Sequence, residues 1–322
     1  YYCVFEYERA RSLLKRWKPQ LYVTSADHWP FLPHIAAARD LNITTLSTES
    51  GLSFLRDNFA QKQADVICVF GATDAGRVAN SRPEATIIQS GDALAPGRGS
   101  ASSREDGPKR ALFVMSGRMF GWWFGSLLFN YPVFIQALEM CAKLIRALPQ
   151  PIQIVLKSHP VSDLHELYDG LVARHGDVFV AHRKEPMSEA EIAGFDAGVI
   201  FSAATAFTAE LIQARVPLVY FSGGLTEFGL DYFDFKGLQQ AATSEELVER
   251  LNELLVDAAS RQEALSLGEA YLNRYVAAAR RSFASVVGEV LGVDHLASLN
   301  PLATSGNRVG DSSKYVECLQ SK

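Results

Sequence analysis

From residue 21 to residue 221, short apolar runs alternate with longer segments of helical period. The runs at 21–24, 43–46, 64–70 and 85–89 show no strict polar alternation, as expected of strands buried on both faces. Around them the spacing predicts a helix over 5–18, ended by Pro19. A second helix has Pro30 near its start and 35–41 as its body, and a third covers 72–80. The alternation restarts with strands at 110–115, 152–157, 177–181, 197–201 and 217–221. Helices are expected near 133–147, 162–175, 188–194, 203–215, 244–257 and 260–290. Strands alternating with helices predict the α/β class, as two doubly wound, Rossmann-like domains with parallel sheets.

Residues 91–109 are dominated by Gly, Pro, Ser and charge and have no period. This predicts a partial first domain over 1–92, a linker over 93–109, a second domain over 110–295 and a polar tail over 296–322. Only one helix precedes the strand at 21, so the first domain reads as truncated at its N-terminus. Two linked α/β domains imply a cleft between them, and ligands in such sheets bind at the carboxyl ends of the strands.

Composition narrows the classes. The 322 residues are 48% hydrophobic and 21% charged, which excludes collagen-like, disulfide-scaffold and wholly disordered chains. The net charge of −5 argues against a dedicated nucleic-acid binder, which needs basic groups to neutralise phosphates. A nucleotide held in a cleft needs only local donors. Cys3, Cys68, Cys141 and Cys318 have no zinc-ligand spacing and suit a reducing compartment; Cys68 reads as a core residue. The first residues carry no secretory signal and no initiator Met, so the chain reads as a fragment or processed product with a cytoplasmic setting.

The residues after each strand carry the candidate chemistry. Ser116-Gly117-Arg118 follows the first strand of the second domain. Arg118 can hold a phosphate in bidentate fashion, or stand in solvent. Lys157-Ser158-His159-Pro160 follows the next. Pro160 stiffens that exit, and His159 can donate to a phosphate oxygen or act as an acid or base. Ser202-Ala203-Ala204-Thr205 opens a helix whose N-terminus can bind phosphate, with Ser202 as its cap. Glu210, two turns on, either accepts from ribose hydroxyls or is solvated. Ser222-Gly223-Gly224 permits a close backbone approach or makes an ordinary turn. In the first domain Asp27 and Glu49 follow strand ends and are candidates for a general base, while Asp27 can instead cap the next helix. His34 and His165 read as helix residues rather than ligands. With no P-loop, no strand-associated G-x-G-x-x-G and no metal cluster in the sequence, the chemistry is expected to be metal-independent and without a cofactor.

A strand ending in Lys157-Ser158-His159-Pro160, then one ending in Ser202-Ala203-Ala204-Thr205 with Glu210 beyond, resembles the donor domain of GT-B glycosyltransferases. The nearest likeness is to bacterial surface-polysaccharide enzymes with an HP motif and a Ser/Thr motif, such as the capsule Kdo-transferase, polysialyltransferase and CDP-glycerol transferase groups. The resemblance implies that His159, Ser202 and Thr205 contact the donor's phosphates and that Glu210 contacts its ribose. The chain also resembles the non-hydrolysing UDP-N-acetylglucosamine 2-epimerases. Glu49-Ser50-Gly51-Leu52 matches their E-A-G-L segment in part, and Asp27, Arg118 and His159-Pro160 fall near their functional positions. Their Ser-Gly-Gly turn is Ser202-Ala203-Ala204 here, and their His-Arg pair is Gly117-Arg118.

Residues 119–138 carry no charge. Gly, Asn and Pro interrupt them, which speaks against a membrane span and for a loop leading into a core helix. In a sharper reading, Trp122, Trp123 and Phe124 touch a membrane surface or lipid-linked acceptor from the inner face of the plasma membrane. The expected function is transfer of a sugar from a nucleotide-activated donor to a cell-envelope polysaccharide or glycolipid, with Arg118, His159 and the helix at Ser202 stabilising the leaving phosphate. A sugar-nucleotide epimerase using Asp27, Glu49 and His159 is the second reading. A non-catalytic nucleotide-binding component of polysaccharide assembly is the third.

Overall fold

The computed structural model describes residues 2–24, 31–48, 62–91, 107–115, 131–158, 164–201, 206–223, 237–275 and 281–293. Two all-parallel sheets organise them. The first has strands β1 (Leu21–Thr24), β2 (Thr44–Ser47), β3 (Val66–Val69) and β4 (Thr86–Gln89), paired in that order. Helices α1 (Tyr2–Trp17), α2 (Leu32–Asp40) and α3 (Ala72–Ser81) accompany it. Every residue of β3 is buried, which is why its sequence reads as an unbroken apolar run.

The second sheet has strands β5 (Lys109–Met115), β6 (Ile152–Lys157), β7 (Phe179–Arg183), β8 (Ala197–Phe201), β9 (Leu218–Phe221) and β10 (Gln239–Ala241). Their order is β10-β9-β8-β5-β6-β7. The chain starts at the centre with β5, builds outward through β6 and β7, then crosses back to β8 and builds the other way. This is the doubly wound dinucleotide-fold order, and the reversal lies between β5 and β8. Helices α4 (Tyr131–Arg146), α5 (His165–Arg174) and α8 (Ser244–Val256) cover one face, with Phe113, Phe179, Phe201 and Phe221 in their core. Helices α6 (Glu189–Ala193), α7 (Ala206–Gln213) and α9 (Ala258–Tyr275) cover the other, around Leu112, Ile200 and Leu211.

Two local devices set the site's scaffold. Gly198 in β8 faces Leu211 of α7, and a Cβ there would meet Leu211 Cδ1 at 3.0 Å. The missing side chain therefore lets α7 lie close on the strand that precedes it. Asp196, just before β8, accepts from the Arg110 N–H at 2.9 Å, while its own N–H donates to the Arg110 carbonyl at 2.8 Å. That exchange anchors β8 to β5 at the end opposite the carboxyl edge.

The second sheet's last helix reaches back to the first. Thr73 Oγ1 of α3 donates to the Arg274 carbonyl of α9 at 2.7 Å, and Phe70 packs with Tyr271 and Tyr275. Residues 1–280 accordingly form one compact unit and residues 281–322 a second. In the latter, α10 (Phe283–Leu291) is capped by Ser282, whose Oγ accepts from the Ser285 N–H, and ends on Gly292 at φ 67.

Three expectations need correction. The single helix over 260–290 is two elements, α9 and α10. Ser282 starts a new helix as its cap, a break that apolar periodicity does not register. Strand β10 is polar (Gln239-Gln240-Ala241) and pairs only at the sheet edge with β9, so no apolar run announced it. Helix α2 begins at Leu32 with Phe31, not Asp27, in the cap position and Pro33 in the first turn. The linker expected over 93–109 lies almost wholly outside the described residues.

Candidate functional site

The carboxyl ends of β5, β6, β8 and β9 lie side by side. Met115 is in register with Phe201, Phe201 with Phe221, and Val114 with Lys157. In the chain Arg118 follows β5, His159 follows β6 and Ser202 follows β8, and these three strands are neighbours at the switch point. In the first sheet, Asp27 and Glu49 follow the adjacent strands β1 and β2. Asp27, Glu49, Arg118, His159, Ser202 and Thr205 themselves, with Trp122, Trp123 and Phe124, lie outside the described residues. Glu210 lies within them, half-buried on the second turn of α7.

The described floor of this region is a cation. Lys157 is 5% exposed, and its Nζ donates to the Ser158 carbonyl at 2.6 Å and toward the Lys184 carbonyl at 3.5 Å. It also stands 5.9 Å from the Phe207 ring centre in α7. Burial lowers its pKa, and the carboxylates of Glu210 and Glu185 oppose that shift. Glu210 is thus coupled to a buried ammonium rather than freely solvated. Sequence reasoning treated Lys157 only as a letter in a motif. The signal was there: a cation closing the apolar run 152–156 must be buried and paired.

Ser158, 1% exposed, sits between two imidazoles. Its Oγ lies 2.8 Å from His182 Nε2 and 3.1 Å from His165 Nδ1. His182 Nδ1 is 2.7 Å from Asp169 Oδ1, and Lys184 Nζ donates to Asp169 Oδ2 at 2.9 Å. The His182 side chain is 1% exposed while Asp169 is half-exposed. Burial lowers the pKa of His182, against the raising effect of Asp169; Lys184 and His182 hold Asp169 below the usual carboxylate range. His165, read from the sequence as a bland helix residue, belongs to this cluster; His34 instead meets Tyr22 Oη and Glu6 on the first sheet.

Ser222, after β9, hydrogen-bonds the Ala241 carbonyl through its N–H at 3.0 Å, and Gly223 adopts φ +61 against the Phe134 ring. That left-handed φ favours glycine at 223, while Gly224 lies outside the described residues. Among the described residues, no group of three His, Cys, Asp or Glu side chains is placed to hold a metal ion. No helix among them is long and apolar enough to cross a membrane.

No family model and no curated protein matches the chain. Solved structures match its fold. A UDP-N-acetylglucosamine 2-epimerase (so described) of Listeria monocytogenes superposes with a TM-score of 0.57 at 11% identity, over 84% of this chain and 74% of that one. MurG of Acinetobacter baumannii gives 0.51 at 16% identity, over 88% and 77%. The pneumococcal O-GlcNAc transferase GtfA, in complex with UDP and GlcNAc, gives 0.54 at 9% identity, over 89% of this chain and 59% of that one. At such identities the likeness is one of fold. Two all-parallel sheets, the second doubly wound about a central switch point, and these neighbours together establish a GT-B glycosyltransferase-like fold for this chain.

Proposed function

We propose that the protein is a glycosyltransferase that takes a sugar from a nucleoside-diphosphate or nucleoside-monophosphate donor and passes it to a saccharide or lipid-linked acceptor of the cell envelope. The observation that supports this reading is that β5, β6 and β8, the strands that Arg118, His159 and Ser202 follow in the chain, are neighbours at the switch point of the second sheet. In this fold that crevice receives nucleotides. Arg118, His159 and the opening of α7 at Ser202 and Thr205 would bind the donor's phosphates and stabilise the leaving group without a metal. Glu210, coupled to buried Lys157, would accept from the ribose. Asp27 or Glu49 would take the acceptor's proton. Peripheral membrane contact through Trp122, Trp123 and Phe124 would suit a lipid-linked acceptor.

An epimerase acting on a UDP-sugar is the second reading. It is favoured by the fold likeness to the Listeria epimerase and by Glu49-Ser50-Gly51-Leu52. The test is a thermal-shift screen of CMP, CDP, UDP and GDP with the wild type and His159→Ala. A selective shift lost in the variant supports the donor site. Turnover of the matching nucleotide-sugar only with acceptor supports the transferase, and turnover without acceptor supports the epimerase. No shift with any nucleotide in the folded protein overturns both.

A further inference from the structure

Every polar atom of Ser158 is committed. Its N–H donates to the Arg183 carbonyl at 3.1 Å, its carbonyl accepts from Lys157 Nζ, and its hydroxyl lies between His182 and His165. The proton order in this chain follows from the inventory of donors and acceptors. The ionised Asp169 carboxylate only accepts, so His182 Nδ1 carries the proton. Nε2 of the neutral ring then accepts, and the Ser158 hydroxyl must donate to it. That leaves the Ser158 oxygen to accept from His165 Nδ1–H. The relay runs His165 to Ser158 to His182 to Asp169, with one direction throughout.

Serine, histidine and aspartate in this order have the connectivity of a hydrolytic triad. Here the residue is 1% exposed and its hydroxyl is engaged on both sides, so it offers no face to a substrate. Its consequence is geometric. The Ser158 carbonyl belongs to the peptide plane shared with His159, and that plane is rigid. A locked Ser158 therefore fixes the peptide plane through which the chain leaves β6.

We propose that Asp169, His182 and Ser158 are positioning residues of the donor site: their relay, with Lys157 on the Ser158 carbonyl, sets the exit of β6 from which His159 meets the donor phosphate. The proposal rests on the donor-site reading of His159. Protonating His182 reverses the relay. Nε2–H then donates to the Ser158 oxygen, and the hydroxyl proton must turn to His165, which has to change tautomer to accept it. The charged and titratable groups that face His182 are Asp169 and His165 of α5 and Lys184 beyond β7, with the Tyr168 ring edge-on at 5.4 Å.

The experiment uses Asp169→Asn, Asp169→Glu and Ser158→Ala. The first two alter a half-exposed carboxylate, so the fold is retained. Affinities for UDP, CDP and GDP, and for the corresponding nucleosides, are measured by calorimetry from about pH 5.5 to pH 8.5. Imidazole nitrogen shifts of His182 report its tautomer. Asp169→Asn and Ser158→Ala should weaken the best nucleoside diphosphate roughly ten- to a hundredfold, as misplacement of a binding group does. Nucleoside affinity should stay unchanged, and Asp169→Glu should recover most of the loss. In the wild type, diphosphate affinity should fall with acid along the titration of His182 itself. A changed tautomer in Asp169→Asn with unaltered diphosphate affinity and pH profile overturns the positioning role while leaving the donor site standing. A wild type that is folded and binds none of the three overturns the donor site, and this proposal with it.

Discussion

His182 Nε2 stands 2.8 Å from the hydroxyl of Ser158, with the imidazole nearly closed to solvent and its other nitrogen on Asp169. Burial favours the neutral ring, so the folded protein takes up this proton less readily than the unfolded chain, whose histidine titrates near 6.5. The stability held in the neutral ring is complete above that value. It is lost as pH falls from 6.5 through the lower value of the folded state. Thermal midpoints should drop between about pH 7.5 and about pH 5.5, and His182→Phe should flatten that part of the profile. An equally steep decline in the variant would assign the effect to other groups.

Replacing Lys157 with Met should cost about 1–3 kcal/mol in urea unfolding. The ammonium that the Ser158 and Lys184 carbonyls share would be gone, and Glu210 would lose its buried counter-charge. The same variant should bind nucleotide more weakly than its stability loss explains, measured well below its unfolding midpoint.

Gly198→Ala places a methyl 3.0 Å from Leu211 Cδ1 in a helix that is fully packed at that point. Overpacking of this kind costs about 1–3 kcal/mol. Because the Leu211 side chain must give way against a packed core, the seating of α7 on β8 is disturbed, and the variant should lose nucleotide affinity as well. Gly198→Ala combined with Leu211→Val should recover part of the stability. Failure of the pair to recover any would mean that the strand, not the helix contact, needs glycine.

Thiol reactivity should sort by burial. Cys3 is exposed, whereas Cys68 and Cys141 are buried, and desolvation pushes the Cys141 thiol up to about 12. In a Cys318→Ser variant, Ellman's reagent near neutral pH should label Cys3 at once and Cys68 and Cys141 only on unfolding. Prompt labelling of Cys141 in the native protein would show that α4 opens locally.

The apolar runs and their helical spacers were legible because burial on both faces leaves no alternation to confuse with other patterns. Residues 66–69 and 197–201 are read directly from their side chains. Elements without that signature escaped: the polar edge strand β10, and the cap at Ser282 that divides α9 from α10. The motif 157–160 was legible as a motif. Its support was not, because Ser158 follows β6 while Asp169 and His182 come from α5 and β7, and no local period links them.

The sequence by itself determined the α/β class, the alternation of elements and the residues standing at each strand's carboxyl end. Local apolarity and turn chemistry suffice for those. Only the tertiary structure decided that β5 and β8 are neighbours although β6 and β7 lie between them in the chain. Parallel apolar strands are locally interchangeable as partners. Their order is selected by how the helices close both faces: Leu211 against Gly198 on one side, and the phenylalanines of β5, β8 and β9 against α4 on the other. That choice creates the switch point, where the carboxyl ends of strands far apart in sequence come together.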